Sequence, residues 1–322
     1  MNSEPKISII IPVYNGSDYL SQAIDSALAQ SYGNIEILVI NDGSQDSGET
    51  ERIALSYGDR IRYFAKGNGG VASALNLGIR EMTGDYFSWL SHDDLYCPNK
   101  VETQVLNLKA IGQSRAILYS DYSVFSDCAS EAKEIPLPEV PPDQFRYFIT
   151  VNNSLHGCTL LIPRTAFDEC GLFNAELHTT QDYDLWFRMA ERFSFIHIPV
   201  TLVKARIHAK QGTFKMKKLA LTECDDLLKG FVDSLSESEM TSATQQPVNI
   251  SYAVIAENLR QRGFYVAGRH ATLLAIKNVS RGSFTDACKS IDILFRNRLT
   301  EWLRSLLIKA SCAFRNKCEG SY

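Results

Sequence analysis

Between residues 7 and 119, short β-branched runs alternate with stretches whose apolar residues repeat at helical spacing, and few folds accommodate that alternation. The run Ile7-Ser8-Ile9-Ile10-Ile11-Pro12-Val13 has the continuous apolar character of a strand covered on both faces, with Pro12 tolerated only at its end. After the turn Asn15-Gly16-Ser17-Asp18, Leu20, Ala23, Ile24, Ala27 and Leu28 follow the i, i+3, i+4, i+7, i+8 pattern of a helix packed on a sheet. Further strands are expected at 35–40, 61–64, 85–90 and 116–119, and helices near 46–57, 71–82 and 98–111. Strands and helices in this order imply right-handed crossovers and an α/β fold built on a mainly parallel, Rossmann-like sheet.

The alternation stops near residue 120. From 121 to 215 the pattern is mixed: a hairpin region, the Pro-rich passage 136–142, a strand at 159–162, a helix at 183–192 and a strand at 200–203. Beyond 216 the chain reads as helical, with a polar break from Ser236 to Pro247. The expected organisation is a domain over 1–215, whose halves 1–120 and 121–215 form the two walls of a cleft, and a helical region over 216–322.

Composition narrows the function classes. A chain of 322 residues with 45% hydrophobic content can bury a substantial core. A net charge of −4 argues against a dedicated nucleic-acid binder. Eight cysteines without a C-x-x-C pair suggest neither a structural zinc site nor a disulfide framework. No run reaches the roughly 18 to 20 apolar residues that span a bilayer, and the first residues lack the succession of a signal peptide, so a cytoplasmic location is expected.

The chemistry-bearing residues fall where strands end. Asp93-Asp94 follow the strand at 85–90, at the carboxyl edge where open α/β sheets bind ligands. Two adjacent anions repel, and a hard divalent cation shared with a phosphate-bearing ligand would hold them; a helix N-cap is the alternative. Asp42 ends the second strand in the same way, able to accept from a ribose or a base, or to form an Asx turn before Gly43. Tyr14 is placed to stack on a base, or to pack. The segment Lys66-Gly67-Asn68-Gly69-Gly70 precedes a helix and could turn backbone amides toward an anion, but it is not the dinucleotide fingerprint. In Gln181-Asp182-Tyr183-Asp184 two acids open an amphipathic helix; Asp182 is placed as a general base or as an N-cap, and Asp184 should point elsewhere. Arg206, His208 and Lys210 offer cations suited to a diphosphate, and the His208 imidazole could complete a metal site.

Taken together, Ile9–Asn15, Val39–Ser44, Asn68–Ile79, Ser91-His92-Asp93-Asp94 and Gln181–Trp186 resemble the motifs, in order, of the family 2 glycosyltransferases, inverting enzymes of the GT-A fold. The resemblance spans residues 5–212. It implies that Tyr14 and Asp42 contact the nucleoside, Asp93 the ribose region and Asp94 a divalent cation (Mn2+ or Mg2+) bridging the diphosphate, with Asp182 as catalytic base; the residues read above extend the expected donor-binding set to Pro12, Asn15, Lys66, Gly69 and Arg206 and the expected metal set to His208. Ser91, Gln181 and Leu75 stand where the family often has aspartate, glutamate and arginine. The implied partners are a nucleoside-diphosphate sugar and a saccharide or lipid-linked saccharide acceptor, as in bacterial cell-surface polysaccharide or glycolipid synthesis. Two other classes fit the same carboxylates: a non-catalytic nucleotide-sugar-binding scaffold, which Asp182 argues against, and a nucleotidyltransferase, which would release pyrophosphate.

Residues 277–318 carry nine Lys and Arg against three Asp and Glu, interleaved with apolar residues over 293–308. Such a basic amphipathic helix suits an anionic membrane surface, or else packing on the catalytic domain or in a homo-oligomer.

Overall fold

The structure is a computed structural model, and it describes residues 4–126, 132–152, 154–208, 211, 216–281, 283 and 285–294. Its strands are β1 (Ile7–Val13), β2 (Ile35–Asn41), β3 (Arg62–Ala65), β4 (Tyr86–Trp89), β5 (Leu95–Tyr96), β6 (Ala116–Phe125), β7 (Lys133–Ile135), β8 (Ile162–Pro163) and β9 (Ser194–Arg206). The helices are α1 (Leu20–Leu28), α2 (Glu49–Leu55), α3 (Gly70–Glu81), α4 (Lys100–Ile111), α5 (Phe145–Val151), α6 (Arg164–Cys170), α7 (Gln181–Met189), α8 (Lys217–Ser234), α9 (Glu237–Thr244), α10 (Val248–Gln261) and α11 (Tyr265–Lys277).

The first sheet has the order β3-β2-β1-β4-β8, parallel except for β8. Every residue of β1 is buried, as its unbroken apolar run requires. The chain winds outward from β1 to β3, then returns across the sheet to place β4 on the other side of β1. That reversal opens a crevice between the carboxyl ends of β1 and β4, the position where such sheets hold ligands. Tyr14 leaves one strand there and Ser91–Asp94 leave the other.

A second sheet, β5-β9-β6-β7, was not legible as such. Its long strand β9 is interrupted in register: Ser120 pairs Ile198 but Asp121 pairs Thr201, so β9 bulges at Pro199-Val200. Proline lacks the ladder donor and sits at such bulges, which is why only 200–203 reads as a strand. The strand expected at 159–162 is a correction. Gly157–Thr159 form a 3₁₀ turn and only Ile162–Pro163 pair with β4. The segment 157–162 is wholly buried, which gives it the apolar look of a strand. Gly157 is obligatory in this turn, because a Cβ there would lie 2.6 Å from the Trp89 ring.

Beneath β4 lies a buried polar network. The Lys100 amine, fully buried, donates to Ser88 Oγ and Gln104 Oε1, both at 2.9 Å, and burial pushes its pKa down to about 7. Tyr96 Oη donates to the Trp89 carbonyl at 2.6 Å. Gln104 Nε2 donates to the Thr159 carbonyl at 2.8 Å, so α4 ties β4 to the 157–159 turn.

The chain divides into two compact units, Met1–Glu223 and Cys224–Tyr322. The break falls within α8, beyond the boundary expected at 215. In the second unit Ser236 and Glu239 form a capping box at α9, and the Asp225 carboxylate accepts from the Val266 and Ala267 amides at the start of α11. Among the described residues no helix is long and apolar enough to cross a membrane. Lys210 and the expected basic helix beyond Leu294 lie outside the described residues.

Candidate active site

A cavity of about 610 Å³ occupies the crevice of the first unit. Its walls include Pro12, Tyr14, Asp42, Gly69, Asp93, Asp94 and Asp182 from the expected set. They also include His156 and Cys158, the cap and second residue of the 3₁₀ turn, and Leu177, His178, Thr179, Met216 and Ala220. Asn15, Lys66, Arg206 and His208 are not wall residues.

Asp93 and Asp94 do not cap a helix, since β5 follows them directly. Asp94 is 3% exposed; its Oδ1 accepts from the Arg206 amide at 2.9 Å and its Oδ2 from the Cys158 thiol at 3.4 Å. Burial and the neighbouring Asp93 charge push its pKa up to about 7, against the lowering effect of those two bonds. Asp93 turns the other way and its Oδ2 lies 2.9 Å from His208 Nε2. His208 therefore meets Asp93 rather than Asp94, and its buried Nδ1 has no partner among the described residues. The buried Arg206 guanidinium donates to the Asp93 carbonyl and to Gln22 Oε1 and lies over the Tyr19 and Phe125 rings. Its observed contacts fix the 93–94 turn from behind.

On the β2 side of the crevice, Asn41 rather than Asp42 turns back on the backbone, its Oδ1 accepting from the Ser44 amide three residues on at 3.0 Å. The buried Asp42 carboxylate accepts from Lys66 Nζ at 2.5 Å, Gly69 N at 3.0 Å and Gly70 N at 2.7 Å. The anion facing the glycine-rich turn is thus the protein's own Asp42. Gly43 makes this contact possible: its φ is +71°, and a Cβ would meet the Asn68 amide at 2.6 Å. Asn15 is also engaged, accepting from the Gln45 amide through Oδ1 at 2.6 Å. Tyr14 remains 43% exposed at the cavity mouth.

Asp182 lies in the first turn of α7, whose N-cap position is Thr180, so it is not the cap. Burial pushes its pKa up to about 6, opposed by the Tyr183 amide bond and by His156 and reinforced by Glu223. Asp184 points elsewhere, as its spacing predicts, and pairs with Arg188 at 2.7 Å. Two functional candidates escaped sequence reading. His156 lies close to both the Asp94 and Asp182 carboxylates, its Nε2 3.7 Å from Asp94 Oδ2, and burial lowers its pKa. Glu223 on α8 accepts from the His178 and Thr179 amides at 2.8 and 2.7 Å and from the Thr180 hydroxyl at 3.0 Å, clamping the loop that leads into Asp182. Neither lies in a motif; the His156-Gly157-Cys158 cluster was the one available signal.

Residues 8–150 match the family model described as glycosyl transferase family 2. An uncharacterized glycosyltransferase of Rickettsia prowazekii is 42% identical over 320 residues, covering 93% of this chain and 96% of that protein. The chain belongs to glycosyltransferase family 2. It spans only 34 to 41% of the length of three longer rickettsial relatives that it matches at 48 to 49% identity. In structure, this family 2 chain resembles S. aureus TarS 1–349 in complex with UDP-GlcNAc, with a TM-score of 0.56 at 14% identity over 87% of this chain and 93% of that one. It also resembles a Pyrobaculum calidifontis mannosyltransferase in complex with GDP-Man and Mn2+, with a TM-score of 0.56 at 15% identity over 89% and 79%. The fold is the GT-A type expected from the motifs.

The Glu223 clamp yields a pH prediction. Glu223→Gln removes a negative charge that raises the Asp182 pKa. With Asp182 in the role of base proposed below, the acid limb of a pH-rate profile should move to lower pH in this variant than in the parent, whose Asp182 pKa is raised to about 6. An acid limb unchanged in the variant would break the link between the clamp and Asp182.

Proposed function

We propose that this family 2 chain transfers a sugar from a nucleoside-diphosphate sugar to a hydroxyl of a saccharide or lipid-linked saccharide, with inversion at the anomeric carbon. The observation that carries the reading is that the buried Asp94 and the half-buried Asp182, carboxylates from different elements whose pKa values are both raised, line one cavity. Titratable groups displaced in this way in a cleft mark functional sites.

In this reading Asp182 accepts the proton of the acceptor hydroxyl, the freed oxygen forms the bond to the anomeric carbon, and the bond from that carbon to the diphosphate oxygen breaks. The donor occupies the β1–β4 crevice, with Tyr14 against the base and Asp93 toward the ribose. Asp42 supports it from below, while Lys66 and Gly69 act through their bonds to Asp42. Leu177, His178, Thr179, Met216 and Ala220 form the acceptor wall.

The residues present fit a divalent cation, since a positive charge would relieve both causes that raise the Asp94 pKa, its burial and the charge of Asp93. Held by Asp94, Mn2+ or Mg2+ would neutralise charge on the departing diphosphate. His208 stands as a further ligand by exchanging its present bond to Asp93. Both nucleotide-sugar complexes among the structural neighbours support a donor of this class, and because one is a UDP sugar and the other a GDP sugar, neither base carries over.

A thermal-shift panel of UDP and GDP sugars, with and without Mn2+, tests the reading. Stabilisation by a nucleoside-diphosphate sugar that requires the cation is expected; no shift with any combination would favour a scaffold.

A further inference from the structure

The floor of the cleft holds a donor set that an oxygen-seeking cation does not need. Asp94 Oδ2 lies 3.4 Å from Cys158 Sγ and 3.7 Å from His156 Nε2, and the three ligand atoms all fall within 4.8 Å of one another. We infer that Asp94, His156 and Cys158 form a thiolate-containing site for a borderline cation of the Zn2+ or Co2+ class.

Two of the three edges of this set already lie near the spacing such a cation needs. Tetrahedral zinc bonds of about 2.3 Å to sulfur and about 2.0 Å to oxygen or nitrogen place a sulfur and an oxygen ligand about 3.5 Å apart, and a nitrogen and an oxygen about 3.3 Å apart. The sulfur–oxygen edge is already at that length, and the nitrogen–oxygen edge needs a shift of a few tenths of an ångström. All three residues line the cavity, so the fourth position faces the cleft. The surroundings hold the ligands in place. Asp94 Oδ1 is fixed by the Arg206 amide, and the Ser91 amide donates to Cys158 Sγ at 3.3 Å, a bond that a thiolate strengthens. Hard cations such as Mg2+ prefer oxygen and draw nothing from sulfur, so the thiol discriminates between cation classes.

Binding is balanced by proton movements. Cys158 releases its thiol proton to solvent as the metal–sulfur bond forms. His156 Nδ1 now accepts a 3.3 Å bond from the Cys158 amide; ligation through Nε2 moves the ring proton to Nδ1 and gives up that bond. Because the cation takes Asp94, Zn2+ at this site would exclude the one that serves a diphosphate.

The test is optical and needs no turnover, so it stands or falls apart from the transferase reading. Co2+ added to the full chain should produce a thiolate-to-cobalt charge-transfer band in the near ultraviolet, saturating at one cation per chain and bleached by Zn2+. Cys158→Ser should lose the band, with its fold checked by circular dichroism; Cys158→Ala serves if the serine variant does not fold. His156→Gln should bind Co2+ at least tenfold more weakly. No band in the unaltered protein, or a band that survives loss of Cys158, would overturn the inference.

Discussion

Asp182→Asn is expected to lower transfer by roughly a hundredfold to ten-thousandfold, the range that a positioned general base supplies, while leaving donor affinity unchanged. The amide occupies the same place in the first turn of α7 but cannot take a proton. Stability should move the other way. The folded pKa of about 6 lies above the ordinary 3.8, so folding favours the protonated acid. Its cost is absent below pH 3.8, grows as pH rises between the two values and is constant above 6. At pH 8 the asparagine variant lacks that cost, and its Tm should be no lower than that of the parent. Steady-state kinetics and thermal unfolding at one pH read both effects; full turnover by the variant would remove Asp182 as base.

Asp94→Asn is expected to cost roughly a hundredfold to a thousandfold in transfer, the usual loss when one centre of transition-state charge stabilisation is removed. It differs from Asp182→Asn in binding. The Mn2+-dependent part of the thermal shift given by a nucleoside-diphosphate sugar should persist in Asp182→Asn and vanish in Asp94→Asn. Here too the folded pKa, about 7, lies above the ordinary 3.8, and a neutral side chain at pH 8 avoids burying a charge beside Asp93. A higher Tm with lost cation-dependent donor binding would mark Asp94 as a group kept for function at the expense of stability. An undiminished cation-dependent shift in Asp94→Asn would move the metal elsewhere.

The first sheet was legible because each of its signals is local. Unbroken β-branched runs at 7–13 and 35–41 and regular apolar spacing in α1 and α3 depend on no distant partner. The carboxylates at strand ends followed from the same reading, since topology alone carries Asp42 and Asp93-Asp94 to one rim. What was hidden depends on contacts between distant residues. The Asp42 carboxylate is taken by the Lys66 amine and the amides of Gly69 and Gly70, so a turn that resembles a phosphate cradle closes on the protein itself. Arg206 resembles a free cation until β9 is seen to bury it behind the 93–94 turn. Glu223 reaches the Asp182 loop from 44 residues away in sequence to Thr179, a separation that no motif encodes.

The central claim is that the cleft breaks the bond between an anomeric carbon and a diphosphate. Phosphorus NMR of the full chain incubated with Mn2+, an acceptor mixture and a panel of UDP and GDP sugars tests it most directly. Release of a nucleoside diphosphate, lost in Asp182→Asn, is the predicted result. Release of pyrophosphate, or donors that stay intact throughout the panel, would contradict it.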